Sequence, residues 1–148
     1  MPGRDAMSSL NVPLDAALLG LLVSAFVSST ILPGTSEVAL AAVVVHDPSR
    51  VAFAIAVATV GNTLGGLTSY AIGRVIPRPR APTTRALAIA RRYGAAALLF
   101  SWVPLIGDAL CIASGWLRQD VFAAAGFMAL GKLLRYIVVA YATLAVTT

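Results

Sequence analysis

The chain has 148 residues, of which 59% are hydrophobic and 11% charged, and a formal net charge of +5. A water-soluble domain of this size needs more charge to cover its surface, so the long apolar runs mark a single membrane-embedded domain. The lone Cys111 excludes an internal disulfide and, with only His46 available, makes no metal site. No nucleophile–base constellation is visible, so neither enzymatic activity nor a cofactor is expected.

Residues 1–13 read as a short polar tail. Residues 16–27 have the apolar character of a signal-peptide core, but the preceding Arg4-Asp5 pair carries no net charge and no small-x-small cleavage pattern follows. The segment is therefore expected to stay in the fold. A mostly apolar stretch over 14–32 ends at Pro33-Gly34, and a shorter one over 36–46 ends at Asp47-Pro48. As a helix the shorter stretch rises only about 16 Å, roughly half a bilayer core. Residues 14–46 are thus expected to form a re-entrant hairpin. The alternative is that 14–32 spans alone, which moves Glu37 towards an interface.

Residues 51–73 carry no formal charge and are expected to cross the membrane. Gly61, Gly65, Ser69 and Gly73 recur every four positions along this segment and predict a close-packing helix face. Asn62 puts an amide near the middle of the same span. The linker 74–93 holds Arg74, Arg78, Arg80, Arg85, Arg91 and Arg92 and no acid, which places it in the cytoplasm by the positive-inside rule. From Thr83 a short amphipathic helix is expected, with Ala86, Ile89, Ala90 and Tyr93 on one face, lying on the anionic inner leaflet. Nucleic-acid binding competes for so many arginines, but the flanking membrane segments argue against it.

Residues 94–103 and 109–115 are each too short to span. Joined at Pro104–Asp108 they predict a second re-entrant hairpin over 94–118. Residues 121–146 form a second full crossing, and Lys132 and Arg135 fall near its middle on one helix face. Charges at that depth require a partner or water. The two halves also match in order: Phe26, Pro33, Glu37, Gly65 and Tyr70 are answered by Phe100, Pro104, Asp108, Gly131 and Tyr136. A hairpin returns to its own side and a crossing helix changes side, so such a repeat is inverted in the membrane. The expected fold is an all-α integral membrane protein: two re-entrant helical hairpins and two main transmembrane helices in an inverted repeat, separated by a basic cytoplasmic amphipathic segment.

Several blocks resemble one family. They are the F-x-x-x-x-x-x-P-G-x-x-E pattern from Phe26 to Glu37, Gly61-Asn62-Thr63-Leu64-Gly65-Gly66 with Tyr70 and Gly73-Arg74, and Ser101-Trp102 with Pro104 and Gly107-Asp108. Gly115-Trp116-Leu117-Arg118 and Gly131-Lys132 with Arg135-Tyr136 complete the set. The chain resembles small members of the DedA family, also called VTT or SNARE-associated proteins, and most of all their YqaA-type branch. The resemblance implies a multi-pass inner-membrane protein with two facing re-entrant loops. It also implies membrane homeostasis, proton-dependent transport and lipid movement, including that of polyprenyl phosphate. By position Glu37 matches the family's first-loop acid. The sequence departs from the family at Ser101 and Gly107, where two arginines usually flank the second-loop proline. Asp108, Arg118, Lys132 and Arg135 are the groups left to supply charge there.

The expected proton and substrate site is Glu37, Asp108, Lys132, Arg135 and Asn62, with helix breaks at Pro33, Gly34, Pro104 and Gly107. Arg118, Tyr70 and Tyr136 are candidate phosphate or interface contacts. Both acids begin short helices, where N-terminal N–H groups favour an anion. Membrane lipids, polyprenyl phosphate among them, and protons are the expected partners, and association of copies suits so small a chain. Three functional readings remain: a proton-linked transporter or flippase, a passive scramblase, and a structural subunit of a complex.

Overall fold

The computed structural model describes residues 13–29, 34–77, 84–103 and 105–148. Among them the regular structure is entirely helical: α1 (Leu14–Ser28), α2 (Thr35–His46), α3 (Val51–Val75), α4 (Arg85–Tyr93), α5 (Ile106–Trp116) and α6 (Val121–Thr147). A 3-10 turn, Pro48–Arg50, leads into α3, and a 3-10 helix, Gly94–Trp102, precedes α5. Pro33 and Pro104 lie outside the described residues, as do Arg78 and Arg80.

Helix lengths divide the elements into two classes. With 25 and 27 residues, α3 and α6 extend about 37 and 40 Å, more than a hydrocarbon core of about 30 Å. Both are long and apolar enough to cross a membrane. At 12 and 11 residues, α2 and α5 reach only about 18 and 16 Å. The 3-10 helix extends its nine residues to about 18 Å, because its rise per residue is larger than that of an α-helix.

The long helices carry polar groups inward and apolar groups outward, the reverse of a soluble core helix. On α6, Lys132 and Tyr136 are buried while Leu134, Val138 and Tyr141 are exposed. In hydrocarbon such outward residues meet lipid, and the inward polar atoms must find protein partners.

Packing follows a crosswise scheme. α1 lies along α3, and the 3-10 helix Gly94–Trp102 lies along α6. The following short helix then crosses over: α2 packs on α6, and α5 packs on α3. Glycines permit both close approaches. A Cβ on Gly65 would sit 2.6 Å from Ser29 Cβ and 2.7 Å from the Phe26 carbonyl. A Cβ on Gly131 would sit 2.6 Å from the Leu99 carbonyl. The contacts run from Asp15 beside Phe53 to Ser29 beside Gly65, so α1 accompanies the first half of α3 and ends at its middle.

Helix ends at the periphery have side-chain caps. The Thr84 hydroxyl accepts from Leu87 N at 3.3 Å, and the Asp120 carboxylate accepts from Ala123 N at 2.9 Å. Asp47 accepts from Ser49 N at 3.1 Å and from the Ser49 hydroxyl, whose hydrogen bond holds the exposed Asp47 carboxyl below its ordinary range. The inner breaks are built differently. Gly34 has φ 102° and Leu105 φ 68°, and neither caps with a side chain. For Leu105 the left-handed backbone costs about 1–2 kcal/mol.

The apolar face of α4 is as expected at Ala86, Ile89 and Ala90, which pack inward, and differs at Tyr93. The helix starts at Arg85 and buries Leu87 and Ala90, while Tyr93 is exposed beneath the Arg92 guanidinium, 5.5 Å from its ring centre. The Gln119 side-chain amide donates to the Ala90 carbonyl at 3.0 Å and ties α4 to the α5–α6 connection.

Alanine at Gly65 should lower the thermal midpoint of the detergent-purified protein, because fixed backbone at the Phe26 carbonyl leaves no room; overpacking of this kind costs about 1–3 kcal/mol. Gly126 faces open space, so alanine there should be neutral or stabilising by up to about 1 kcal/mol. Equal effects at the two sites would contradict the packing scheme.

Candidate functional site

The two acids singled out from the sequence occupy equivalent places. Glu37 is the third residue of α2 and follows the left-handed Gly34. Asp108 is the third residue of α5 and follows the left-handed Leu105. Each carboxylate therefore sits in a first helical turn, where unpaired backbone N–H groups and the helix dipole stabilise an anion. Gly107, between Leu105 and Asp108, lies flat against the Ser101 backbone with no room for a Cβ.

The acids differ in their partners. Glu37 Oε1 is ion-paired with Arg135 Nη2 of α6, and about a fifth of each side chain stays accessible, 21% for Glu37 and 17% for Arg135. Asp108 is half-buried and makes no ion pair among the described residues. It nevertheless lies near enough to Lys132 to interact electrostatically.

Lys132 is the centre of the polar interior, with only 2% of its surface exposed. Its ammonium donates to Ser29 Oγ at 2.9 Å, to the Asn62 carbonyl at 2.5 Å and to Asn62 Oδ1. An ammonium has three N–H donors and no acceptor, so three oxygens satisfy it completely. A Cβ on Gly66 would lie 2.9 Å from Lys132 Nζ and still nearer Met128 Sδ, so the missing side chain is what admits the cation.

From Asn62 the hydrogen bonds continue in one direction. Its Nδ2 donates to Tyr136 Oη at 2.7 Å, Tyr136 Oη donates to Ser36 Oγ at 2.9 Å, and Ser36 Oγ donates to Ser28 Oγ at 3.2 Å. This network joins α1, α2, α3 and α6 at the first break. Ser36 and Tyr136 each precede or follow a member of the ion pair in sequence, so the Glu37–Arg135 contact forms the partly open edge of a closed interior.

Of the expected site residues, the structure thus brings together Glu37, Arg135, Lys132, Asn62 and Tyr136. Tyr70 and Arg118 stand apart. Tyr70 Oη donates to the Gln119 carbonyl and accepts from Arg74 at 3.0 Å, tying the end of α3 to the α5–α6 connection. Arg118 is exposed in that connection at φ 54°. Ser28, Ser29 and Ser36 were not foreseen as site residues. The only sequence signal for them is that hydroxyls flank the first break on both sides.

Removing the Tyr136 hydroxyl leaves the buried Asn62 amide and Ser36 hydroxyl short of a partner. Tyr136→Phe should therefore destabilise the purified protein by about 1–3 kcal/mol. Tyr141→Phe, at an exposed position on the same helix, should leave the thermal midpoint unchanged. Equal midpoints for the two variants would show that the buried chain of hydroxyls does not form.

Comparison with known proteins agrees with a membrane protein over most of the chain. The inner membrane protein YqaA of Escherichia coli K12 is 43% identical over 129 residues, covering 86% of this chain and 91% of its own. YqaA of Shigella flexneri matches to the same extent. An uncharacterized protein of Haemophilus influenzae is 41% identical over 131 residues, 82% of this chain and 83% of its own. No family model matches the chain, and no solved structure does. With identity at this level across nearly the full length, the chain belongs to the family of the inner membrane protein YqaA.

Proposed function

We propose that the chain is a proton-linked transporter of lipids or lipid phosphates in the inner membrane, working as a flippase or scramblase of the DedA type. The observation that carries this reading is the Glu37–Arg135 ion pair. It sits at a helix break between two membrane runs, joins one half of the chain to the other, and stays partly accessible. The pair is open on one side while Lys132 beside it is closed, so a proton or an anion can reach it.

The chemistry follows from the charges. With Glu37 ionised, the Arg135 guanidinium is occupied. A proton on Glu37 releases the guanidinium, whose planar fork suits a phosphate oxygen pair. Proton uptake and phosphate binding then favour each other, and loss of the proton returns Arg135 to Glu37 and expels the anion. Linkage of this kind couples a proton to lipid movement without any covalent step.

Topology supports the same reading. Each half is a pair of short elements followed by a long helix, the breaks carry a left-handed residue and an acid at matching positions, and the packing is crosswise. Gly66 and Lys132, each next to a matched glycine of the repeat, meet one another, as counterparts do beside a pseudo-twofold axis. Two re-entrant hairpins in an inverted repeat account for all of these features. The basic end with Arg74, Arg85, Arg91 and Arg92 then faces the cytoplasm.

A second reading is favoured by the Lys132 network, which is fully satisfied within one chain. In that reading the protein shapes the membrane or supports a larger assembly and moves no lipid.

Reconstitution into liposomes with labelled polyprenyl phosphate or phospholipid, with and without a pH gradient, separates the readings. The transporter reading predicts gradient-dependent movement. Glu37→Gln should abolish the dependence on pH, and Arg135→Gln should lower phosphate-lipid flux about tenfold or more, the equivalent of one charge-assisted hydrogen bond. Full flux and full pH dependence in Glu37→Gln contradict it. Flux without any gradient supports scrambling, and absence of flux supports the structural role.

A further inference from the structure

A groove of about 340 Å³ opens at the basic end of the molecule, away from the Glu37–Arg135 site. Its floor is α5, where Ala109, Ile112 and Trp116 recur along one face, and its walls are α4 and the residue Ile76 just after α3. Among the described residues, Thr84 is the one polar residue that lines it. Alanines at the base and branched or aromatic residues at the rim make a slot open on its long side.

The rim is cationic. Arg85 lies between Thr84 and Ala86, both of which line the groove. The Arg91 guanidinium lies over the Trp116 ring at 5.8 Å from its centre, which keeps a charge beside the groove that Trp116 lines. α4 itself is anchored by the Gln119–Ala90 hydrogen bond, so the rim is fixed in place. An apolar groove flanked by cations at the two ends of α4 matches an anionic amphiphile. A second copy of the chain would bring arginines against arginines, which is unfavourable for association.

We infer that the groove between α4 and α5 binds one anionic phospholipid of the surrounding leaflet, with an acyl chain along Ala109, Ile112 and Trp116, the headgroup phosphate on Arg91, and Arg85 adding positive charge at the other end of α4. Its occupant is a resident lipid distinct from any transported one, and it fastens the amphipathic helix to the membrane-embedded body. Apolar contact supplies the seat, and the two arginines select for charge.

Trp116 makes the site directly readable. In a Trp102→Phe background it is the single tryptophan left, and a brominated acyl chain quenches it only on contact. The protein is placed in nanodiscs of unlabelled phosphatidylcholine with increasing fractions of chain-brominated phosphatidylglycerol or chain-brominated phosphatidylcholine. Quenching by the anionic lipid is expected to saturate at a mole fraction at least about tenfold lower than for the neutral one. Arg85→Gln and Arg91→Gln should each reduce that preference about fivefold, as loss of one cation at a membrane surface implies. Ala109→Phe, at an exposed position that tolerates a larger side chain, should remove the selective quenching without altering the thermal midpoint. Equal saturation by the two lipids would overturn the proposal, since ordinary bilayer contact suffices for it. Selective quenching that survives Ala109→Phe, or no quenching by either lipid because residues 78–83 or a second copy cover the slot, would overturn it as well.

Discussion

A single buried cation organises the centre of this protein. Lys132 is almost wholly enclosed between helices that face lipid on their outer sides, and an isolated ammonium in such a place is strongly unfavourable. Its stability there depends on three oxygens, two from Asn62 and one from Ser29. That requirement holds α1, α3 and α6 in a single register. Gly66 must lack a side chain so that the ammonium fits, and Gly65 must lack one so that Ser29 can reach it. Asn62, with its oxygen spent on Lys132, has its amide free for Tyr136, and the hydroxyl chain to Ser36 and Ser28 follows.

The Glu37–Arg135 pair gains its character from this neighbour. Arg135 lies one helical turn beyond Lys132, and Glu37 adjoins Ser36, so the pair is fastened on both sides to the closed network. Its remaining freedom is on the exposed edge. The arrangement is lopsided despite the matched halves. The second acid, Asp108, has the same position at the start of its short helix but no ion pair among the described residues, and Tyr70, matched to Tyr136 in sequence, bonds to Arg74 and Gln119 at the molecular end. The interior thus holds one charged site, with the cations from α6 and the acid that meets them from α2.

Much of this was legible in the sequence because membrane chains carry strong one-dimensional signals. Charge-free length marks α3, the same length with two inward cations marks α6, and Pro-Gly beside an acid marks the first break. The glycine spacing read as a close-packing face does meet α1 and α5, since Gly61 and Gly65 lie against α1 and Gly73 against Ile112. What the sequence withheld were choices among equivalent partners. Two acids and two cations admit several pairings, and only the fold selects Arg135 for Glu37, 98 positions away. The serines stayed hidden because a hydroxyl among apolar residues packs as readily as it bonds. The outward place of Tyr93, beside Arg92, and the exposure of Arg118 at a positive φ leave no periodic trace.

The account rests on the contact between Lys132 and Asn62, and a double-mutant cycle on thermal unfolding in detergent tests it directly. Asn62→Leu removes two-way bonding while leaving the ammonium buried, and should cost about 3–5 kcal/mol, as breaking one side of a buried charged contact does. Lys132→Met removes the charge with little change in volume. If the two groups satisfy each other, the double variant is more stable than the sum of the single effects by well over about 0.5 kcal/mol, beyond the error of additivity. Simple additivity would contradict the account, because it would mean that the ammonium does not depend on Asn62 Oδ1.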